Sequence, residues 1–206
     1  MFGMLVAVAA AALIPAELGA HRAAAGKATV ARSVDGQRNQ MIACIAQLRR
    51  TDTARADRAE TAASRTCLDR AQRILARSPT RSSAHVVRAI ALSDLGEQGR
   101  AAGALEMAQQ TGSLEGWLAV VRLRTALAIA DRANLQSIRD RMESVAAADL
   151  AVVARSPRLA PRLALLYHEA GARRPWIVEE IETYPTGVQS AFLLAVERLR
   201  SGPGAR

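Results

Sequence analysis

Residues 91–108 read ALSDLGEQGRAAGALEMA, and this stretch decides the fold class. A leucine-bearing helical turn runs into Leu95-Gly96, and an alanine-rich helical pattern resumes at once. Glycine just past the last periodic residue is a natural left-handed helix cap. The stretch therefore reads as two helices folded back on each other across a tight turn. Ala101, Leu105 and Ala108 recur at four- and three-residue spacing, on one face of the second helix. Small residues there let two helix axes approach, and Leu105 fills the gap beside them.

The pattern extends in both directions. Half of the 206 residues are hydrophobic, alanine supplies much of that half, and aromatic residues are only 3%. Alanine and leucine suit close-packed helices, whereas sheets draw on β-branched and aromatic side chains. The expectation is an all-α chain of short helices. The first four cover 37–50, 57–77, 82–95 and a segment ending near 110. Ser113 is placed to cap the fifth, with Leu114, Trp117, Leu118 and Val121 on its apolar stripe. Asp131 is placed to cap the sixth, with Leu135, Ile138, Met142 and Val145 inward, and 147–155 reads as a short separate helix. Pro161 and Pro175 open two more helices. The last, 187–199, is expected to bury Val188, Phe192, Leu193 and Val196.

Within this train, Ala101-x3-Leu105, Ala108 and Gly96 at the turn resemble the tetratricopeptide repeat family. That family's second helix carries A-x3-F in a hairpin of about 34 residues. Ala89 and Leu92 keep two positions of the family's first-helix pattern, while His85 and Arg88 stand where it has an aromatic residue and a leucine. A shift of 37 residues downstream pairs Ala89 with Ala126, Leu92 with Ile129, Ala101 with Ile138, Leu105 with Met142 and Ala108 with Val145. A shift of 34 upstream pairs Ala101 with Cys67, Leu105 with Ala71 and Ala108 with Ile74. The resemblance implies hairpins stacked as a TPR-like α-solenoid, against the alternative of a helical bundle without repeats. It also implies a protein or peptide ligand in a groove lined by the first helix of each hairpin. By that analogy the partner-binding residues are His85, Arg88, Ser93, Arg122 and Arg124, and the arginines imply acidic or C-terminal carboxylate ligands.

Residues 1–20 form an apolar run interrupted by Glu17, just long enough to approach the ~30 Å hydrocarbon core of a bilayer. A short anchor and a signal-peptide core both fit, although the basic start of a signal peptide is absent. Arg22, Lys27 and Arg32 on the far side favour a cytoplasmic domain by the positive-inside rule. An apolar segment followed by an alanine-rich linker favours delivery outward. The expectation is a protein anchored in the inner membrane or exported to the periplasm, with a cytoplasmic-facing orientation as the competing reading. The chain then divides into 1–20, a linker 21–36, a TPR-like array 37–147, a C-terminal capping subdomain 148–200 and a tail 201–206.

Charge supplies a competing function. The formal net charge is +9, and Lys27 is the only lysine. Residues 22–81 hold 13 basic and five acidic side chains, so the positive charge is concentrated there. This segment suits anionic lipid or nucleic acid, but it has no aromatic residue for base stacking, which disfavours nucleic acid. Cys44 and Cys67 fall on consecutive helices, where an antiparallel hairpin brings them within reach of a disulfide. Two buried free thiols are the equal alternative. Neither metal nor cofactor is expected, since two cysteines without a neighbouring histidine supply too few ligands. His21, His85 and His168 are scattered, no phosphate-cradling glycine loop exists, and no catalytic residue is assigned. The leading functional expectation is a membrane-associated scaffold for protein–protein interaction, of the kind that accompanies envelope or exopolysaccharide assembly.

Overall fold

The computed structural model describes residues 31, 33–50 and 57–201. The apolar segment 1–20, most of the linker at 21–36 and residues 202–206 lie outside the described residues. Among the described residues nine α-helices follow one another: α1 (Val34–Arg50), α2 (Asp57–Leu75), α3 (Ser82–Asp94), α4 (Gln98–Gly112), α5 (Gly116–Arg132), α6 (Gln136–Ala154), α7 (Ala160–Glu169), α8 (Arg174–Glu182) and α9 (Thr186–Arg200). Single 3₁₀ turns at Pro157–Leu159 and Gly171–Arg173 precede α7 and α8. The described residues contain no strand, and the chain is all-α. None of their helices is long and apolar enough to cross a membrane.

The chain divides into two compact units, residues 1–104 and 105–206. In the first, α1 begins at Val34, inside the expected linker, because Ser33 caps it. The Ser33 Oγ accepts the Gly36 N–H at 2.9 Å, three residues on. Gln40 Oε1 accepts the Ala31 N–H, and the Gln37 side-chain amide donates to the Ala31 carbonyl, so one backbone unit is held at both polar atoms. Ser64 on α2 donates to Asp94 at the far end of α3, which makes these two helices antiparallel. Helix α3 packs against both α1 and α2. A disulfide between Cys44 and Cys67 joins α1 to α2, with Cα atoms 5.7 Å apart and both residues buried. Arg70 directs a guanidinium N–H at the Cys44 sulfur, 3.6 Å away.

The turn after α3 closes in a Schellman motif. The Glu97 N–H bonds the Leu92 carbonyl at 2.9 Å and the Gly96 N–H bonds that of Ser93 at 3.0 Å. Gly96 has φ +81°, a value that side-chain-bearing residues seldom adopt. The residues paired by the 37- and 34-residue shifts share one environment. Ala89, Ala126, Leu92, Ile129, Ala101, Ile138, Leu105, Met142, Ala108, Val145, Cys67, Ala71 and Ile74 are all buried.

In the second unit, α5 and α6 form the most extensive helix pair, and α7 packs on α9, where Tyr167 meets Phe192 edge-to-face at 5.5 Å. Helix α6 runs unbroken through 147, because Ala146, Leu150 and Val153 continue the buried stripe of Met142 and Val145. The expected separate helix at 147–155 and the subdomain boundary at 147/148 therefore fall inside one element. Ser156-Pro157 ends it, as the residue before proline avoids helical geometry. Three other expectations are corrected. Ser113 does not cap α5, whose cap position is Glu115, and Leu114 is left 85% exposed. Asp131 lies in the last turn of α5 and pairs with Arg173 at 2.6 Å, while Leu135, at the cap of α6, is 61% exposed. Leu193 is 63% exposed, because its neighbour Phe192 takes the inward position on α9.

Replacing both cysteines by serine is expected to cost about 3 kcal/mol, for a bridge that closes 23 residues of sequence. The urea midpoint should fall by the amount that a reductant produces in the wild type.

Candidate functional site

Arg81, His85 and Arg88 stand at i, i+4 and i+7, a spacing that puts them on one face of α3. Arg81 occupies the cap position of the helix, but its side chain makes no capping bond. His85 is 5% exposed, and its Nε2 lies 2.7 Å from the Pro79 carbonyl. A carbonyl only accepts, so Nε2 carries the proton and the opposite ring nitrogen, Nδ1, holds a lone pair. That Nδ1 is enclosed and has no partner among the described residues. The Nε–H groups of Arg81 and Arg88 are likewise enclosed and without a partner among the described residues, while each residue as a whole is half-buried. Buried polar atoms in proteins are nearly always satisfied, so three open ones along a single helix face form a concentrated exception. Burial pushes the His85 pKa down, the bond to Pro79 opposes that, and the positive charge of Arg88 adds to the lowering. At neutral pH two half-buried guanidinium groups thus flank one buried, neutral imidazole.

The other residues expected to bind a partner are used within the fold. Arg122 is fully buried (0% exposed) and belongs to an ion pair with Asp149. Its Nε lies 3.0 Å from both carboxylate oxygens and Nη2 lies 2.6 Å from one. The remaining N–H groups reach the carbonyls of Gly112 and Ser113. Arg122 is therefore a clamp between α5, α6 and the loop before α5, and offers nothing to a ligand. Burial raises the Asp149 pKa, while the Arg122 hydrogen bonds and charge pull it back. Ser93 is buried and its hydroxyl bonds the Gln98 side chain, whose amide returns to the Ser93 carbonyl across the turn. Arg124 is paired with Glu169. Of the five, only His85 and Arg88 share a surface.

Two participants escaped the sequence reading. Arg81 was legible by spacing, since it lies one helical turn before His85. Asp149 also left a signal: it is the one charge in the apolar run Val145–Val153, and a lone acid there requires a buried cation. Among the described residues, no group of three or more His, Cys, Asp or Glu side chains is placed to hold a metal ion. Comparison of the chain with protein-family models, curated proteins and solved structures finds no match.

Arg122→Met is expected to lose about 3–5 kcal/mol in chemical denaturation, because Asp149 is stranded without its cation. The double variant R122M/D149L should recover most of that loss. A depressed histidine pKa stabilises the fold above the ordinary value near 6.5, and this stability is lost as pH falls through the lowered value. Unfolding titrations from neutral to mildly acidic pH should therefore show a steeper decline in wild type than in His85→Gln.

Proposed function

We propose that this protein is a TPR-like helical scaffold that holds a segment of a partner protein against α3. The single observation that carries this reading is the unfilled hydrogen-bonding row of Arg81, His85 and Arg88. An extended peptide offers carbonyl or carboxylate oxygens to the half-buried guanidinium groups of Arg81 and Arg88, which flank the enclosed His85 ring. The TPR-like part of the reading draws support from the glycine-capped turn between α3 and α4, and from the shared burial of residues 34 and 37 apart. It also draws on the packing of α3 against both helices that precede it. Membrane association, whether by a retained anchor or after export to the periplasm, rests on the apolar residues 1–20 and belongs to the proposal alone. A place in envelope or exopolysaccharide assembly has the same standing.

The competing use of residues 22–81 for nucleic acid loses two of its arginines to the fold. Arg70 is buried against Cys44, and Arg73 is paired with Asp69.

Photo-crosslinking in cells tests the scaffold. A benzophenone side chain at Arg88 is expected to yield a discrete adduct with one polypeptide, whereas the same group at the exposed Arg65 on α2 yields none. The double variant R81Q/R88Q should weaken binding of the captured partner at least about tenfold, as charge-assisted hydrogen bonds are lost. Adducts that are absent at position 88, or identical at both positions, would remove the basis of the reading.

A further inference from the structure

One end of the second unit combines features that neither the fold nor the α3 face uses. Arg122 and Asp149 bind α5 and α6 side by side. Gly116 precedes Arg122 by six residues, and Arg155 follows Asp149 by six. In antiparallel helices these two positions come level, about 9 Å beyond the ion pair. Leu159 closes the arrangement, with Cδ1 only 2.9 Å from where a Cβ on Gly116 would stand. The loop 113–115 and the segment 155–162 therefore occupy one pole.

Leu114, 85% exposed, lies in the loop at that pole. Arg155, Arg158 and Arg162 are exposed and make no ion pair among the described residues. No acidic residue occurs between Asp149 and Glu169, and Glu115 is the one carboxylate in the facing loop. Tyr184 is a titratable neighbour of Arg155, and the Glu180 carboxylate acts on the same Tyr184 hydroxyl. An exposed leucine at the same pole as three exposed guanidinium groups, which outnumber the nearby carboxylates Glu115 and Glu180, matches the outer layer of an anionic bilayer. The apolar side chain enters beneath the headgroups while the arginines bind phosphates bidentately. A nucleic-acid backbone would satisfy the arginines but leave Leu114 in water, and single-strand binding calls for stacking aromatics.

We propose that this pole docks the protein onto an anionic phospholipid bilayer, independently of the α3 face and of residues 1–20. The test uses the full chain with vesicles of phosphatidylcholine, alone or mixed with phosphatidylglycerol. Because the apolar N-terminal stretch can itself engage lipid, binding is read locally by hydrogen exchange. Residues 113–116 and 155–162 should gain protection on the mixed vesicles, lose it as salt is added, and show none on phosphatidylcholine alone. The variant R155Q/R158Q/R162Q should abolish this protection and lower partitioning by about a hundredfold. Leu114→Ser, which leaves every charge in place, should lower it several-fold, so the proposal stays testable if the triple variant fails to fold. Protection that persists in the triple variant, or that is equal on neutral vesicles, overturns the proposal. So does retention of the wild type by an acidic polypeptide or duplex RNA without any vesicle-dependent protection at the pole.

Discussion

Close approach of helices across alanine is the constraint on which the remaining structure depends. Ala89, Ala101, Ala108, Ala126, Ala130 and Ala146 are all sealed from solvent at helix seams. A buried methyl removes far less apolar surface from water than a leucine does, at about 0.8 kcal/mol per carbon group. Stability in such a core accumulates from many thin contacts rather than from a few large side chains. Thin seams also leave little room for water, so a polar group caught in one must be answered by the protein. The cross-links that are present, Cys44–Cys67 in one unit and Arg122–Asp149 in the other, tie helix pairs that apolar burial alone holds modestly.

The two arginine-bearing helix faces show that rule kept and broken. On α5, Arg122 finds a carboxylate and two backbone carbonyls, and its hydrogen-bonding capacity is spent inside the fold. On α3, Arg81, His85 and Arg88 are enclosed at their inner nitrogens, yet those nitrogens have no partner among the described residues. Leaving such groups open costs stability. Where a fold tolerates that cost along one line of one helix, binding is a better explanation than packing.

Much of the architecture was legible because helix punctuation is local. Gly96, Ser156-Pro157 and Pro161 mark their boundaries through backbone geometry that no distant contact overrides. The alanine and leucine pattern around Ala101 likewise located buried positions in three alternate helices, α2, α4 and α6. Long-range pairing was not legible. Nothing local distinguishes Arg122, whose carboxylate is 27 residues away, from Arg88, which has none among the described residues. Ser93 looked available because its partner, Gln98, lies across a turn that the spacing alone does not close. Leu114 and Leu135 fit apolar stripes on paper, but α5 and α6 start after them. Charge patterning directs attention to residues 22–81, while the exposed arginines at 155–162 stand out only once the helices are placed.

The Cys44–Cys67 bridge has a consequence for how the chain matures. The sequence contains two cysteines, so a single intramolecular pairing exists and no scrambled monomeric isomer can form. Misoxidation is possible only between chains. Quality control by thiol reshuffling within one molecule has nothing to correct, and the hazard scales with local protein concentration instead. Burial of both sulfurs in the folded unit removes that hazard as soon as α1 and α2 have docked.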